Sequence, residues 1–328
     1  MALVESNTLP SSIGFIGLGA MGKPMVVNLV KSLPPRAQVF IYDLVEALVD
    51  ELVISFPSVI VKSAHAKQVA ENSDVVLTML PEGSHVKSVY LNSTTGIIAA
   101  LPGSSTPKIL IDSSTIDTAT NLHIKQALFA SSPTTSFYDA PVSGGVIGAV
   151  NATIAFFLGC SVSDTNIPHL TAVLYTMGGK VIPCGGPSLG LAAKLSNNYL
   201  SGIITIACAE AMDMGMCAGI EADVLASVFA AGTAQNTICD VFNPVPGVCP
   251  KAPSSNGYRG GFRVQLMKKD IGLAVDMARR LGTRNVLGAS GLGLYTAVCA
   301  AADCRDLDSR VVYRYLGGQE DWKKRDPY

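Results

Sequence analysis

The first half of the chain alternates short apolar runs with longer stretches of helical periodicity. Residues 13–16, 39–42, 75–80 and 109–112 are aliphatic or β-branched and lack polar alternation. Strands covered on both faces have this character. The segments between them, roughly 20 to 30 residues each, have room for right-handed crossover helices. Residues 137–139, 154–158 and 181–182 read as further strands. Beyond Gly185-Gly186-Pro187 strand-like runs become rare. The pattern there predicts a long helix over 188–215, apolar nearly all round and therefore buried in a core or an interface. Further helices are expected over 222–231, 266–281 and 290–302, with a Pro- and Gly-rich loop over 243–261. The expected architecture is an α/β region over 1–186, with a mostly parallel doubly wound sheet, and an all-α region over 187–328 joined to it by the long helix.

Composition adds boundaries. The chain has 328 residues, enough for two domains, and is 48% hydrophobic and 15% charged. So apolar a composition points to a large core and a buried subunit interface, hence a homodimer or homotetramer. A net charge of -1 carries no electrostatic footprint for nucleic acid and no attraction to an anionic membrane. No uninterrupted apolar window reaches membrane-span length, because Ser196, Asn197, Asn198 and Glu210 flank the apolar run 202–208 closely. No membrane span is expected. The eight cysteines form no CxxC pair, so they read as free buried thiols of a reducing compartment, with no metal site. Residues 1–12 carry Glu5 and no Lys or Arg, unlike a basic transit peptide, which favours a cytoplasmic location. Lys323, Lys324 and Arg325 read as a solvated tail.

Candidate chemistry begins with Gly17-Leu18-Gly19-Ala20-Met21-Gly22, a GxGxxG that follows the first strand and opens a helix. Asp43 ends the next strand, 21 positions beyond Gly22. That is the full context of a dinucleotide-binding Rossmann fingerprint. The glycines admit pyrophosphate to the backbone, and the helix N-terminus offers unpaired N–H groups to its charge. Asp43 would accept hydrogen bonds from ribose hydroxyls and repel a 2′-phosphate, so NAD is expected over NADP. Leu80-Pro81 and Ser113-Ser114-Thr115 follow strands and should line the same cleft, since ligands bind beyond the carboxyl ends of a parallel sheet.

Lys194 is the second candidate. Between residues 189 and 219 the only other charged residues are Glu210 and Asp213. An ammonium in such a stretch either snorkels its head to water or has a partner or a reaction to serve. Asn198, four positions on, shares its helix face.

These motifs together resemble the β-hydroxyacid dehydrogenase family, over about residues 14–316. Gly17 to Gly22 with Pro24-Met25 and Asn28-Leu29 is similar to its N-terminal signature, Asp139-Ala140-Pro141-Val142-Ser143-Gly144-Gly145 to its substrate-binding segment, and Lys194 to Asn198 to its catalytic helix. The stretches 242–248, Gly260-Gly261-Phe262 and Leu266-Met267-Lys268-Lys269-Asp270 resemble the 3-hydroxyisobutyrate dehydrogenase branch. The resemblance implies an N-terminal Rossmann domain, an all-α C-terminal domain, and NAD-linked oxidation of (S)-3-hydroxyisobutyrate, a short hydroxy acid of valine catabolism, to methylmalonate semialdehyde. It implies that Lys194 is the general acid/base and that Asn198 holds substrate beside it. It implies that Ser143, Gly144 and Gly145 bind the substrate carboxylate. Thr115 matches positions that touch substrate and cofactor, and Leu80, Pro81, His85, Phe262 and Lys269 match cofactor-contacting positions. For Lys194 to take a proton it must be neutral part of the time, which burial favours. Animal members of the family are mitochondrial, the opposite expectation to that from residues 1–12.

Two other readings belong beside this one. Relatives reduce tartronate semialdehyde, glyoxylate or succinic semialdehyde, some with NADPH. Others have lost the lysine and serve as non-catalytic dinucleotide-binding scaffolds, whereas Lys194 and Asn198 are both present here. The chain also departs from the family pattern. Ser188 and Ala152 stand where glycine is common, Leu191 replaces a polar residue, and Cys160 takes one place of a usual glycine pair. These changes bear on pocket shape, and Ser188 is expected to cap the long helix.

Overall fold

The computed structural model describes residues 9–102 and 106–324. Residues 1–8 of the leader reading and Arg325 of the basic tail lie outside the described residues. The described chain divides into two compact units between Lys194 and Leu195, a point inside the long helix.

The first unit holds a six-stranded, all-parallel sheet in the order β3-β2-β1-β4-β5-β6. Its strands are β1 (Ser12–Ile16), β2 (Gln38–Tyr42), β3 (Ile60–Lys62), β4 (Val75–Thr78), β5 (Ile109–Asp112) and β6 (Ser136–Asp139). Helices α1 (Gly22–Ser32), α2 (Glu46–Ser55), α3 (Ala66–Glu71), α4 (Gly83–Leu91) and α5 (Thr118–Ser131) connect them. Alternate residues of a strand point to opposite faces, and here each face has its own core. Ile13, Phe15, Leu77, Ile111 and Tyr138 pack in one cluster; Ile16, Val76, Leu110 and Phe137 pack in the other. Burial on both faces is why these runs showed no polar alternation.

The strand expectation for 154–158 is met by β8 (Ile154–Leu158), and that for 181–182 falls within the longer β9 (Gly178–Pro183). They do not extend the parallel sheet. With β7 (Val142–Ser143) they form a separate three-stranded sheet, antiparallel at β7·β8 and parallel at β8·β9. Helices α6 (Gly145–Val150) and α7 (Ile167–Tyr175) belong to this part. Two-residue β7 and three-residue β3 are too short to show a period in sequence.

Helix α8 (Leu189–Cys217) spans 29 residues. The second unit continues with α9 (Ala222–Ala231), α10 (Thr237–Val241), α11 (Val264–Arg280), α12 (Gly288–Ala300) and α13 (Val312–Tyr315) around a core that includes Met212, Tyr258, Ile271, Tyr295, Val311 and Tyr313. Among the described residues, α8 alone is long and apolar enough to pass for a membrane span, with mean hydropathy 1.3 over its window, of which 33% is buried. The polar residues interrupt the apolar run without ending the helix. The helix passes through Ser196, Asn197 and Asn198 because it satisfies its own backbone, and Asn198 finds a side-chain partner within the fold.

The Pro- and Gly-rich stretch 243–261 is packed closely. Ser254 Oγ donates to the Asn243 carbonyl (2.6 Å), Tyr258 Oη to the Pro244 carbonyl (3.0 Å) and Trp322 Nε1 to the Pro246 carbonyl (2.8 Å). All eight cysteines are free, but only Cys160, Cys208, Cys239 and Cys304 are buried, and Cys217 is exposed. The reading of uniformly buried thiols is corrected to that extent: Cys217 and Cys299 lie on helices, and Cys184 and Cys249 in loops, at positions the core does not fully cover.

Candidate active site

The dinucleotide fingerprint folds as its glycines require. Gly17 turns the chain after β1 with φ +96°, and its N–H donates to the Tyr42 carbonyl at 3.0 Å. A Cβ there would strike the Met79 carbonyl oxygen, and one on Gly22 would strike that of Gly17. A Cβ on Gly19 would meet no protein atom within 4 Å, and Gly19 and Ala20 are exposed. Two glycines thus close the turn, while the third leaves an open cradle above the start of α1. Asp43 directly follows β2 and is half-buried, its Oδ2 accepting from Leu18 N–H (2.6 Å) and its Oδ1 from Val45 N–H (2.8 Å). It is locked against the glycine loop, with lone pairs to spare for ribose hydroxyls. The open backbone, helix N-terminus and acidic strand end fit a nicotinamide dinucleotide.

The loops after β4 and β5 are stapled together by a buried network. Asp112 Oδ1 accepts from Thr78 Oγ1 (2.7 Å), Ser114 Oγ (2.6 Å) and Ser114 N–H (3.1 Å). Ser114 Oγ in turn accepts from Leu80 N–H at 2.8 Å, and Tyr90 Oη lies 3.0 Å from Thr78 Oγ1. Burial pushes the Asp112 carboxyl up to about 6, against the lowering effect of the Ser114 and Thr78 hydrogen bonds. Leu80 is therefore held beside the glycine turn, its Cδ2 3.0 Å from where a Gly17 Cβ would be, and Pro81 and Thr115 directly follow the stapled residues Leu80 and Ser114. His85 lies exposed on α4.

The segment Asp139 to Gly145 runs from the end of β6 through β7 into α6. Gly144 (φ +134°) and Gly145 (φ +64°) take left-handed conformations, and a Cβ on Gly145 would meet nothing within 4 Å. The backbone after Ser143 is thus open to a small anion. Asn28 Nδ2 donates to the carbonyls of Ala149 (2.6 Å) and Val150 (3.3 Å), tying α6 to the dinucleotide helix.

Lys194 is buried, with 7% of its surface exposed, and lies in the second turn of α8. Asn198 follows four positions along the same helix and is 6% exposed. Within the second unit, Asn198 Nδ2 donates to Asp270 Oδ2 at 2.5 Å, and Asp270 Oδ1 lies 3.3 Å from Lys269 Nζ. Lys269 and Phe262 belong to this unit too, and the Phe262 N–H donates to Asp308 Oδ2 at 2.7 Å. Sequence reasoning passed over Asp112, Asp270 and the tether from Asn28. Asp112 and Asp270 did leave a signal, each being a carboxylate inside an otherwise apolar or basic run.

Ser188 is not the side-chain cap that was expected. Its Oγ donates outward, to the Thr118 carbonyl (3.0 Å) and to Asn121 Oδ1 (2.9 Å). The first helical N–H groups go to Asp139 instead. Ser188 and Ala152 both adopt positive φ, +63° and +53°, which is the conformational reason a glycine is common at either place.

A doubly wound parallel sheet with a glycine-loop cradle, an acidic residue closing β2 and an all-α second region defines an NAD(P)-dependent oxidoreductase. Comparison with known proteins gives the family. Residues 12–186 match the NAD binding domain of 6-phosphogluconate dehydrogenase, and residues 189–316 match the NAD-binding domain of NADP-dependent 3-hydroxyisobutyrate dehydrogenase. The probable mitochondrial 3-hydroxyisobutyrate dehydrogenase of Dictyostelium discoideum is 37% identical, covering 95% of this chain and 92% of its own. An NAD-dependent L-serine dehydrogenase of Pseudomonas aeruginosa is 36% identical over 86% of this chain and 90% of its own. The 3-hydroxyisobutyrate dehydrogenase of Mycobacterium tuberculosis, solved with L-serine, superposes with a TM-score of 0.83 at 33% identity, covering 93% of this chain and 98% of that one. The chain belongs to the 3-hydroxyisobutyrate dehydrogenase family.

Proposed function

We propose that the chain oxidises (S)-3-hydroxyisobutyrate to methylmalonate semialdehyde with NAD, a step of valine catabolism. Residues 1–186 bind the dinucleotide and 187–328 complete the substrate and subunit surfaces. The observation that carries the reading is the burial of Lys194 on a helix that starts against the Asp139–Gly145 segment. Bound NAD supplies the hydride acceptor, so the protein must orient the hydroxy acid and manage one proton. Ser143 and the backbone of Gly144 and Gly145 hold the substrate carboxylate. Lys194 Nζ takes the hydroxyl proton as the carbon beneath is oxidised, and returns it to the oxygen in reduction. Asn198, its amide held by Asp270, steadies the hydroxyl oxygen. Thr115, Leu80, Pro81, His85, Phe262 and Lys269 line the cofactor side.

NAD over NADP is supported by Asp43, since a carboxylate fixed against the glycine loop would repel a 2′-phosphate. L-Serine is the second reading, supported by the Pseudomonas relative's name and by the ligand of the Mycobacterium structure. Both are short β-hydroxy acids with the same carboxylate and hydroxyl. The deciding experiment is a kinetic panel on the purified protein: 3-hydroxyisobutyrate, L-serine, glycerate and 4-hydroxybutyrate, each with NAD and NADP. A higher kcat/KM for 3-hydroxyisobutyrate with NAD supports the reading; a preference for L-serine or for NADP overturns that part of it. Lys194→Ala is expected to lose ~100- to 10,000-fold in turnover while still binding NADH, and a loss under tenfold would remove Lys194 from its role. A homodimer or homotetramer is the expected assembly, supported by exposed Leu200 and Met214 on α8, and light scattering measures it. Relatives from Dictyostelium and mouse are named mitochondrial, and a fluorescent fusion of the full chain reports the compartment here.

A further inference from the structure

Asp139 closes β6 and begins the segment that leads to Ser143. It is 1% exposed, and burial pushes its carboxyl above the ordinary carboxylate range despite the N–H groups that oppose the shift. Both oxygens are committed to one target. Oδ1 accepts from Ser188 N–H at 2.7 Å and Oδ2 from Leu191 N–H at 2.8 Å, the unpaired donors at the start of α8. Space has been cleared around the carboxylate. A Cβ on Gly159 would collide with its Oδ1, and one on Gly190 would strike the Phe157 carbonyl oxygen and lie 2.8 Å from Asp139 Oδ2. The Ser188 hydroxyl, bonded to Thr118 and Asn121, holds the same turn from the side of α5.

A serine or asparagine next to the helix would cap it with less desolvation. A carboxylate reaching from the strand that opens the substrate segment joins two elements into one rigid piece. Lys194 lies three residues beyond Leu191, about 4.5 Å of helix rise, so fixing the first turn fixes where Lys194 begins. We infer that Asp139 is a positioning residue for proton transfer: it holds the start of α8 against the Asp139–Gly145 segment and thereby aligns Lys194 Nζ with the hydroxyl of the substrate. The inference rests on the reading of Lys194 as general acid/base.

The test uses the full chain as wild type, Asp139→Asn, Gly190→Ala and Lys194→Ala, with the hydroxy acid found by the panel above. In Asp139→Asn the amide keeps one acceptor and turns an N–H toward a second N–H, so one of the two bonds is lost. Gly190→Ala drives a Cβ against the Phe157 carbonyl oxygen and Asp139 Oδ2, and so displaces the helix start while keeping the carboxylate's charge and both its acceptors. Both are expected to lower kcat by ~10- to 100-fold, the scale of an ångström-level misplacement. NADH affinity, read by fluorescence, and substrate KM should stay within about threefold, because neither depends on proton transfer. The solvent deuterium isotope effect on kcat should rise as proton transfer becomes slower. Turnover within twofold of wild type in Asp139→Asn overturns the inference. So does a loss of kcat matched by a loss of NADH binding, or misfolding of both variants, since each marks a purely structural role. If only Asp139→Asn misfolds, Gly190→Ala decides by the same criteria. An active Lys194→Ala would instead show the reading of Lys194 to be at fault, whereas an inactive Lys194→Ala beside a normal Asp139→Asn would sink this inference alone.

Discussion

Asp112 and Asp139 are register partners across the parallel strands β5 and β6, two buried carboxylates side by side at the carboxyl edge of the sheet. One gathers the loops that carry Leu80 and Thr115; the other receives the start of the helix that carries Lys194. Like charges so placed are costly in a low-dielectric interior, and each is tolerated through the hydrogen bonds it accepts.

The cost has a sign that can be measured. Burial raises the Asp112 carboxyl from 3.8 to about 6 in the folded protein. A carboxyl with a raised folded value binds its proton more tightly when folded, so its contribution falls as pH rises from about 4 to 6 and is level on either side. The difference amounts to about 3 kcal/mol. Asp112→Asn keeps an oxygen for Thr78 and Ser114 and cannot ionise. Urea denaturation at pH 4, 5, 6 and 7 should show wild type losing roughly that much more stability than the variant across the window; parallel curves would refute it.

The glycine loop offers a clean separation of fold from binding. Gly19→Ala adds a methyl where no protein atom lies within 4 Å, so it should change stability by less than about 0.5 kcal/mol. It should weaken NADH binding by at least about tenfold, or about 1.4 kcal/mol. Gly17→Ala puts a side chain against the Met79 carbonyl at φ +96° and should destabilise the protein itself by 1 kcal/mol or more, roughly. Thermal melts with and without NADH distinguish the two.

Asp270 is 2% exposed and serves both Asn198 and Lys269. Asp270→Ala removes the partner that fixes the Asn198 amide, leaving a buried donor unmet. Stability should drop by about 1 to 3 kcal/mol, and kcat should fall more than NADH affinity. Stopped-flow turnover beside NADH titration checks this; an unchanged kcat would detach Asn198 from the reaction.

Ala152 holds φ +53° on a loop where nothing in its side chain demands it. Ala152→Gly should stabilise the protein by up to about 1 kcal/mol, as left-handed strain is relieved. Ser188→Ala keeps its φ of +63° and loses the bonds to Thr118 and Asn121, so it should destabilise by about 1 to 3 kcal/mol. Differential scanning calorimetry of the two variants should show Tm moving in opposite directions.

Local pattern made much of this legible. The runs at 13–16, 39–42 and 109–112 announced buried parallel strands, because a strand covered on both faces has no polar alternation to confuse the reading. The glycine loop and Asp43 announced a dinucleotide, because that geometry needs small residues at fixed spacing. Lys194 stood out as a charge in an apolar helix. The three-stranded sheet was not legible, since β7 offers two residues and its partners in β8 lie 12 and 14 positions away. The capping of α8 was misread for a similar reason: a local rule chose Ser188, while the acceptor came from Asp139, 49 residues earlier.

The residue pattern alone determined five of the six strands of the parallel sheet, the glycine-loop fingerprint and the one lysine in the apolar helix, all consequences of nearest-neighbour sterics and periodicity. Only the tertiary structure decided which carboxylate meets which N–H. Buried charges select their partners through long-range packing, and Asp112, Asp139 and Asp270 acquire their roles from residues 34 to 72 positions away that the fold brings to hydrogen-bond distance.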